Sequence, residues 1–238
     1  MSSLRISALY HYPVKSCAGI PLDRAQVTPY GLERDRHWMV VDGQGGFLSQ
    51  RRLPKMALIR PEIVSGGLVL HAPDMEPCSV PAQGAALPLE VQIWGDQVTA
   101  LDTGDHSARW LEDYLGVECR LAALGPDLHR PVDPHFDHWD SEVIFADGFP
   151  LLLISQSSLE DLNARLDRPL PMERFRPNIV VSGCRPYAED DWKTVRLGEI
   201  LVHPVKPCAR CAITTVDQQR GEVAGKEPLR TLAGYRRG

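Results

Sequence analysis

No apolar run in this 238-residue chain approaches the roughly 20 residues that a membrane-crossing helix needs. The opening residues MSSLRISALYHYPVKS also lack the apolar centre of a secretory signal. Both absences lead us to expect a cytoplasmic protein with no membrane partner. A surplus of basic residues is missing too: 26 Lys and Arg stand against 31 Asp and Glu, for a formal charge of -5. That balance argues against a nucleic-acid partner held by broad phosphate neutralisation, though it leaves room for local basic pockets. The six cysteines are too sparse for a disulfide scaffold, so free thiols are expected. No low-complexity stretch occurs, and the chain should fold throughout. No GxGxxG, Walker A, HExxH or GxSxG pattern occurs, which removes the usual support for nicotinamide binding, P-loop hydrolysis, zincin and α/β-hydrolase chemistry.

What the chain does contain is a soluble globular composition, 43% hydrophobic and 24% charged, at a length that suits one large core or two small ones. LRISALYHY, RHWMVVD, FLSQ, ALIRPEIV, GLVLHA and LEVQIWGDQVTAL are β-rich and punctuated by Gly, Pro and Asp, the pattern of an antiparallel barrel or sandwich. DHSARWLEDYLG then places Ala108, Leu111, Tyr114 and Leu115 at helical spacing and stops at Gly116. The polar segment 125–142 reads as a connection near a domain boundary. VIFADGFPLLLIS reads as a strand leading into a helix over SQSSLEDLNARL, which carries Leu159, Leu162 and Leu166 on one face. RPNIVVSG, VRLGEILVHPV and CAITTVD add strands, and PLRTLAGYRR adds a short terminal helix.

Five clusters could carry chemistry. In CARCAITTVD, Cys208 and Cys211 frame Arg210, and a thiolate beside a guanidinium suits metal ligation or nucleophilic work. A redox dithiol, part of a zinc site and two buried structural thiols compete with that reading. In YPVKSCAGI, Lys15 and Ser16 could form a phosphate-binding turn, or a solvated loop. In GLERDRHWMVVD, Arg34 and Arg36 share a face if the segment is extended, as a surface charge pattern also would. In FRPNIVVSG, Arg176 precedes a buried-looking strand that begins at Asn178, and either a site or a structural ion pair would place it there. Asp147, Gly148 and Phe149 form a turn before an apolar strand. His129, His135 and His138 cluster in the polar connection without the helical spacing of metal ligands.

YPVKS, LERDRHW, FRPNIVVSG, YAEDDW and CARCAITTVD together, in this order and at these separations, resemble proteins with a MOSC N-terminal barrel followed by a MOSC domain, especially the mitochondrial amidoxime-reducing components and their bacterial relatives. The resemblance covers almost the whole chain. It implies a mainly β fold with a few helices (α+β), with an N-terminal MOSC β-barrel over 1–122 packed on a C-terminal MOSC β-barrel over 123–238. Relatives continue beyond the YRRG end, so this second barrel is expected to be incomplete there. The resemblance implies a molybdenum–molybdopterin cofactor with Cys211 as metal ligand and catalytic residue. Lys15, Ser16, Arg36, Gly148, Phe149, Arg176, Asn178, Ala209 and Arg210 become the cofactor-binding residues. Where close relatives carry a Thr-Ser pair before a proline, Gly148 and Phe149 offer backbone contacts only. The activity implied is reduction of a small N-hydroxylated substrate, with electrons from an external flavoprotein, haem or iron–sulfur carrier. The alternative is a non-catalytic carrier of the cofactor or of sulfur.

Overall fold

The computed structural model describes residues 4–81, 87–137 and 139–236. Short strands dominate them, accompanied by helices α1 (Asp105–Leu115), α2 (Gln156–Asn163) and α3 (Leu229–Tyr235). The alternating segment LEVQIWGDQVTAL lies in an antiparallel hairpin of Leu87–Ile93 and Asp96–Asp102 that turns at Trp94 and Gly95. Its second strand pairs with Cys119–Ala123, which pairs with Trp38–Asp42 to complete a four-stranded sheet. Because side chains alternate faces, Met39, Val41 and Ala122 join one core and Val40, Cys119 and Leu121 another. The second core is closed by α1 and by the three-stranded sheet of Arg60–Val64, Gly67–His71 and Cys78–Pro81. Helix α1 buries Ala108, Leu111 and Leu115 as its spacing requires, and Gly116 ends it in a left-handed conformation.

A second four-stranded sheet positions the site. Arg5–His11 lies between Ile20–Leu22 and Ile179–Ser182, antiparallel to both, and Leu153–Ser155 runs parallel to Ile179–Ser182 on the far side. The amino-terminal strand is therefore paired with a strand from the second half of the chain. That pairing brings the Tyr12–Cys17 turn against the Phe175–Asn178 turn. Helix α2 begins at Ser155, whose hydroxyl accepts the Ser158 N–H at 3.1 Å, and packs Leu162 with Ile154 and Phe175.

Several expected elements differ. FLSQ is not a strand; Phe47 makes one isolated bridge to Val41, and Ser49 instead caps a turn through the N–H groups of Arg52 and Leu53. In VIFADGFPLLLIS only Leu153–Ser155 is a strand, because the carbonyls of residues 144–147 are taken by the side chains of Arg130 and Lys15. The β-branched run after Cys211 forms a 3-10 turn, Ala212–Thr215, before the two-residue strand Val216–Asp217. There the Thr214 and Thr215 hydroxyls donate to the carbonyls of Cys211 and Ala212 at 2.9 and 2.7 Å, a local alternative to a sheet ladder. The polar connection also contributes to the interior: Leu128, Arg130 and Val132 are buried. His129 pairs with Glu142 and His135 packs edge-on against Phe136, while His138 lies outside the described residues.

Candidate functional site

Tyr12 is the hub of one half of the site. Its ring is buried between two guanidinium groups, Arg36 at 4.7 Å and Arg176 at 4.2 Å, and its hydroxyl donates to the Pro177 carbonyl at 3.1 Å. Gly19 is required here, since a Cβ would meet the Tyr12 ring at 2.5 Å. Arg36 donates to Asp35 and, at 3.2 Å, to Asn178 Oδ1. Burial works against the charged form of Arg36, but the Asp35 carboxylate outweighs it and raises the pKa. Asn178 is buried, and its amide accepts the Leu152 N–H and donates to the Tyr10 carbonyl, so it holds Arg36 from a fixed frame. Arg176 differs: its buried Nη2 has no hydrogen-bond partner among the described residues, and burial, reinforced by Arg36, lowers its pKa. With Tyr10, Tyr12 and Arg174 it walls a cleft of about 820 Å³.

A second run of charge leads to the thiol. Lys15 is 5% exposed and donates to the Phe145 carbonyl at 2.7 Å and to Asp147 Oδ1 at 2.5 Å. Burial pulls Lys15 down to about 8, against the opposing pull of Asp147. Burial alone would raise Asp147, but Lys15, Trp94 and Arg51 hold it down at about 2. The Trp94 indole donates to Asp147 Oδ1 at 3.2 Å, and Arg51 stacks over the Trp94 ring at 4.9 Å. Nη2 of Arg51 lies 4.0 Å from Asp147 Oδ2 and donates to Cys211 Sγ at 3.2 Å. Lys15, Asp147, Arg51 and Cys211 thus form one continuous chain of contacts.

Left-handed backbone occurs here as well as at other turns, Asp74 and Tyr187 among them. Ser16, Arg36 and Arg176 all adopt left-handed angles, at φ 66, 52 and 54. For non-glycine residues this costs on the order of 1–3 kcal/mol each and collects at functional sites. The compensation is visible for Ser16, whose carbonyl accepts from Gln50 at 2.8 Å, while Gln50 and Gln218 exchange amide hydrogen bonds.

Of the residues singled out in the sequence, Arg36 and Arg176 converge on Tyr12 with Asn178 bonded to Arg36, and Lys15 and Cys211 are linked through Asp147 and Arg51. Arg210 does not carry the hydrogen bond to the thiol; it donates to the Phe175 carbonyl at 3.3 Å and so ties the cysteine loop to the turn bearing Arg176. Ala209 is exposed beside it. A Cβ on Gly148 would meet nothing within 4 Å, and the Phe149 ring packs on Phe136 at 5.9 Å. Arg51, Trp94 and Arg130 escaped the sequence reading altogether. No motif marks them; the only signal was Asp147, recognised as a turn residue and not as the one whose carboxylate meets Trp94 and Arg51 and whose carbonyl accepts from Arg130. Among the described residues no group of three His, Cys, Asp or Glu is arranged to hold a metal ion, and no helix is long and apolar enough to cross a membrane.

This pairing of two β-rich halves with a half-buried cysteine at the end of a cationic run is found with a matching family: residues 3–118 match the MOSC N-terminal beta barrel domain and residues 140–238 the MOSC domain. The chain belongs to the MOSC family, within the group of the mitochondrial amidoxime-reducing components. It is 36% identical over 246 residues to mitochondrial amidoxime-reducing component 1 of Xenopus laevis, covering 97% of this chain and 71% of that protein. It is likewise 36% identical over 245 residues to the Homo sapiens component 1, covering 97% and 72%. A solution structure of a Bordetella bronchiseptica protein aligns with 45% of this chain and 92% of its own at 23% identity, with a TM-score of 0.36 too low to bear on the fold.

Proposed function

We propose that this protein binds a molybdenum–molybdopterin cofactor with Cys211 as its metal ligand and reduces small N-hydroxylated compounds with electrons from an external carrier protein. The observation that carries the reading is the buried, unpartnered Nη2 of Arg176, set beside Arg36 on the Tyr12 ring. A guanidinium without a partner in a buried position is costly unless an anion completes it. A cofactor ending in a phosphate supplies that anion, and its metal calls for a soft ligand such as a thiolate. The residues present fit both demands. When bound, such a cofactor supplies the two-electron chemistry that takes the oxygen from an N–OH group and releases it as water.

Arg176 and Arg36 would hold the anionic tail by charge-assisted hydrogen bonds, with Asn178 fixing the orientation of Arg36 at 3.2 Å. Lys15 and Ser16 would close the same end, with Lys15 sharing its proton donors between the tail and Asp147. Gly148 and Phe149 would contribute backbone groups, and Ala209 and Arg210 would fix the loop that presents Cys211. The relatives' name, amidoxime-reducing component, supports the class of reaction.

The test is metal analysis of protein made in a molybdate-replete host. Stoichiometric molybdenum is expected in the wild type and none in Cys211→Ser, with hydroxylamine reduction by an artificial electron donor only in the former. Bound cofactor without turnover would point to a carrier, and absence of molybdenum from the wild type would overturn both.

A further inference from the structure

The guanidinium on the Cys211 sulfur is Arg51, and its geometry does more than fill space. One nitrogen, Nη2, donates to Cys211 Sγ at 3.2 Å and stands 4.0 Å from Asp147 Oδ2, so the cation faces both the sulfur and a carboxylate. The group lies over the Trp94 ring, 4.9 Å from its centroid, and Trp94 is in turn held by its own hydrogen bond to Asp147. The Arg51 side chain is 28% exposed, that of Asp147 58%, and Cys211 is half-buried, so this group of residues is in reach of solvent. Lys15 stands behind Asp147, bonded to Asp147 and to the Phe145 carbonyl and not to the sulfur. The side chain that donates to the sulfur itself, and so meets an oxygen brought up against it, is Arg51.

We propose that Arg51 is an oxyanion-positioning residue of the Cys211 face, and that Asp147 is the counter-charge that limits how strongly Arg51 draws an anionic oxygen to the sulfur. The ligand class is a small oxyanion, or the oxygen end of an N–O group. The inference rests on Cys211 being the working sulfur of the site; it does not depend on the metal being bound.

Alkylation of cofactor-free full-length protein tests it directly. Cys211 modification is followed by peptide mass spectrometry with anionic iodoacetate and with neutral iodoacetamide at one pH. The ratio of the two rates cancels the fraction of thiolate and reads only the preference of the face for a carboxylate. Arg51→Gln is expected to lower that ratio about tenfold, and Arg51→Lys to restore part of it, since the charge returns without the planar fork. Asp147→Asn is expected to raise the ratio, because the negative charge that offsets Arg51 is then gone. A purely structural role for Arg51 would move both reagents alike, and an unchanged ratio in Arg51→Gln overturns the proposal. So does a fall in the ratio in Asp147→Asn. Correct folding of each variant is checked by its unfolding midpoint. Molybdenum content of the same variants made in a molybdate-replete host is a separate readout: its loss in wild type would defeat the cofactor reading while leaving the alkylation result standing.

Discussion

At the scale of single residues the Lys15–Asp147 pair makes stability depend on pH at both ends. Asp147 is held at about 2 against an ordinary 3.8, so the unfolded chain takes up the proton first on acidification. Its contribution is present above about pH 3.8 and is lost as the pH falls toward 2. Lys15 is drawn down to about 8 from 10.5, so the unfolded chain keeps its proton longer on the alkaline side, and stability gains as the pH climbs through that window. Denaturant midpoints should therefore drop more steeply in wild type than in Asp147→Asn below pH 3.8. Between pH 8 and 10.5 the wild type should gain on Lys15→Met. A wild-type midpoint that fell relative to Lys15→Met across the alkaline window would show that Lys15 is not charged and buried as described. The lysine itself was singled out in YPVKS, though its burial was not legible there. Its partner was not, because Asp147 lies 132 positions away in the chain and looked like an ordinary turn residue.

At the scale of elements, the segment from Ile144 to Asp147 shows why a strand-like sequence need not be a strand. Arg130 is 5% exposed and donates to the carbonyls of Ile144, Ala146 and Asp147 while its Nε pairs with Asp96 at 2.6 Å. These bonds replace a sheet ladder, and they set where Asp147 faces Lys15 and Arg51. Arg130→Met should cost ~3 kcal/mol or more, since several buried carbonyls lose a charged donor at once. Limited proteolysis should then cut near residues 144–148, which stay protected in the wild type. A loss below about 1 kcal/mol, the level of an ordinary neutral hydrogen bond, would mean that other groups hold the segment. Helices α1 and α2 were legible because their apolar spacing and end signals agree. The 144–147 segment and the 3-10 turn after Cys211 were not, because in each a side chain takes the backbone partner that propensity assigns to a neighbouring strand.

For the whole molecule, the decisive contact is the pairing of Arg5–His11 with Ile179–Ser182. Ser7 and Val180 are 173 positions apart, yet the Ser7 hydroxyl donates to the Val180 carbonyl at 3.2 Å. Reading along the chain divides it into two successive halves and shows nothing of this crossing, because periodicity reports which residues are buried but not which strand buries them. The consequence concerns cooperativity. Two β-rich halves joined only by the segment 125–142 would come apart once that segment was cut. Halves that share a sheet, with Tyr12 from one fixed between arginines from both, should stay together. A protease site placed between Asp133 and Asp137, outside every strand, should give two fragments that run as one species in gel filtration and unfold in a single transition by calorimetry. Separation of the fragments without denaturant, or two resolved transitions, would show that the shared sheet contributes little. In that event the arginine pair around Tyr12 would have to be assembled by the ligand and not by the fold.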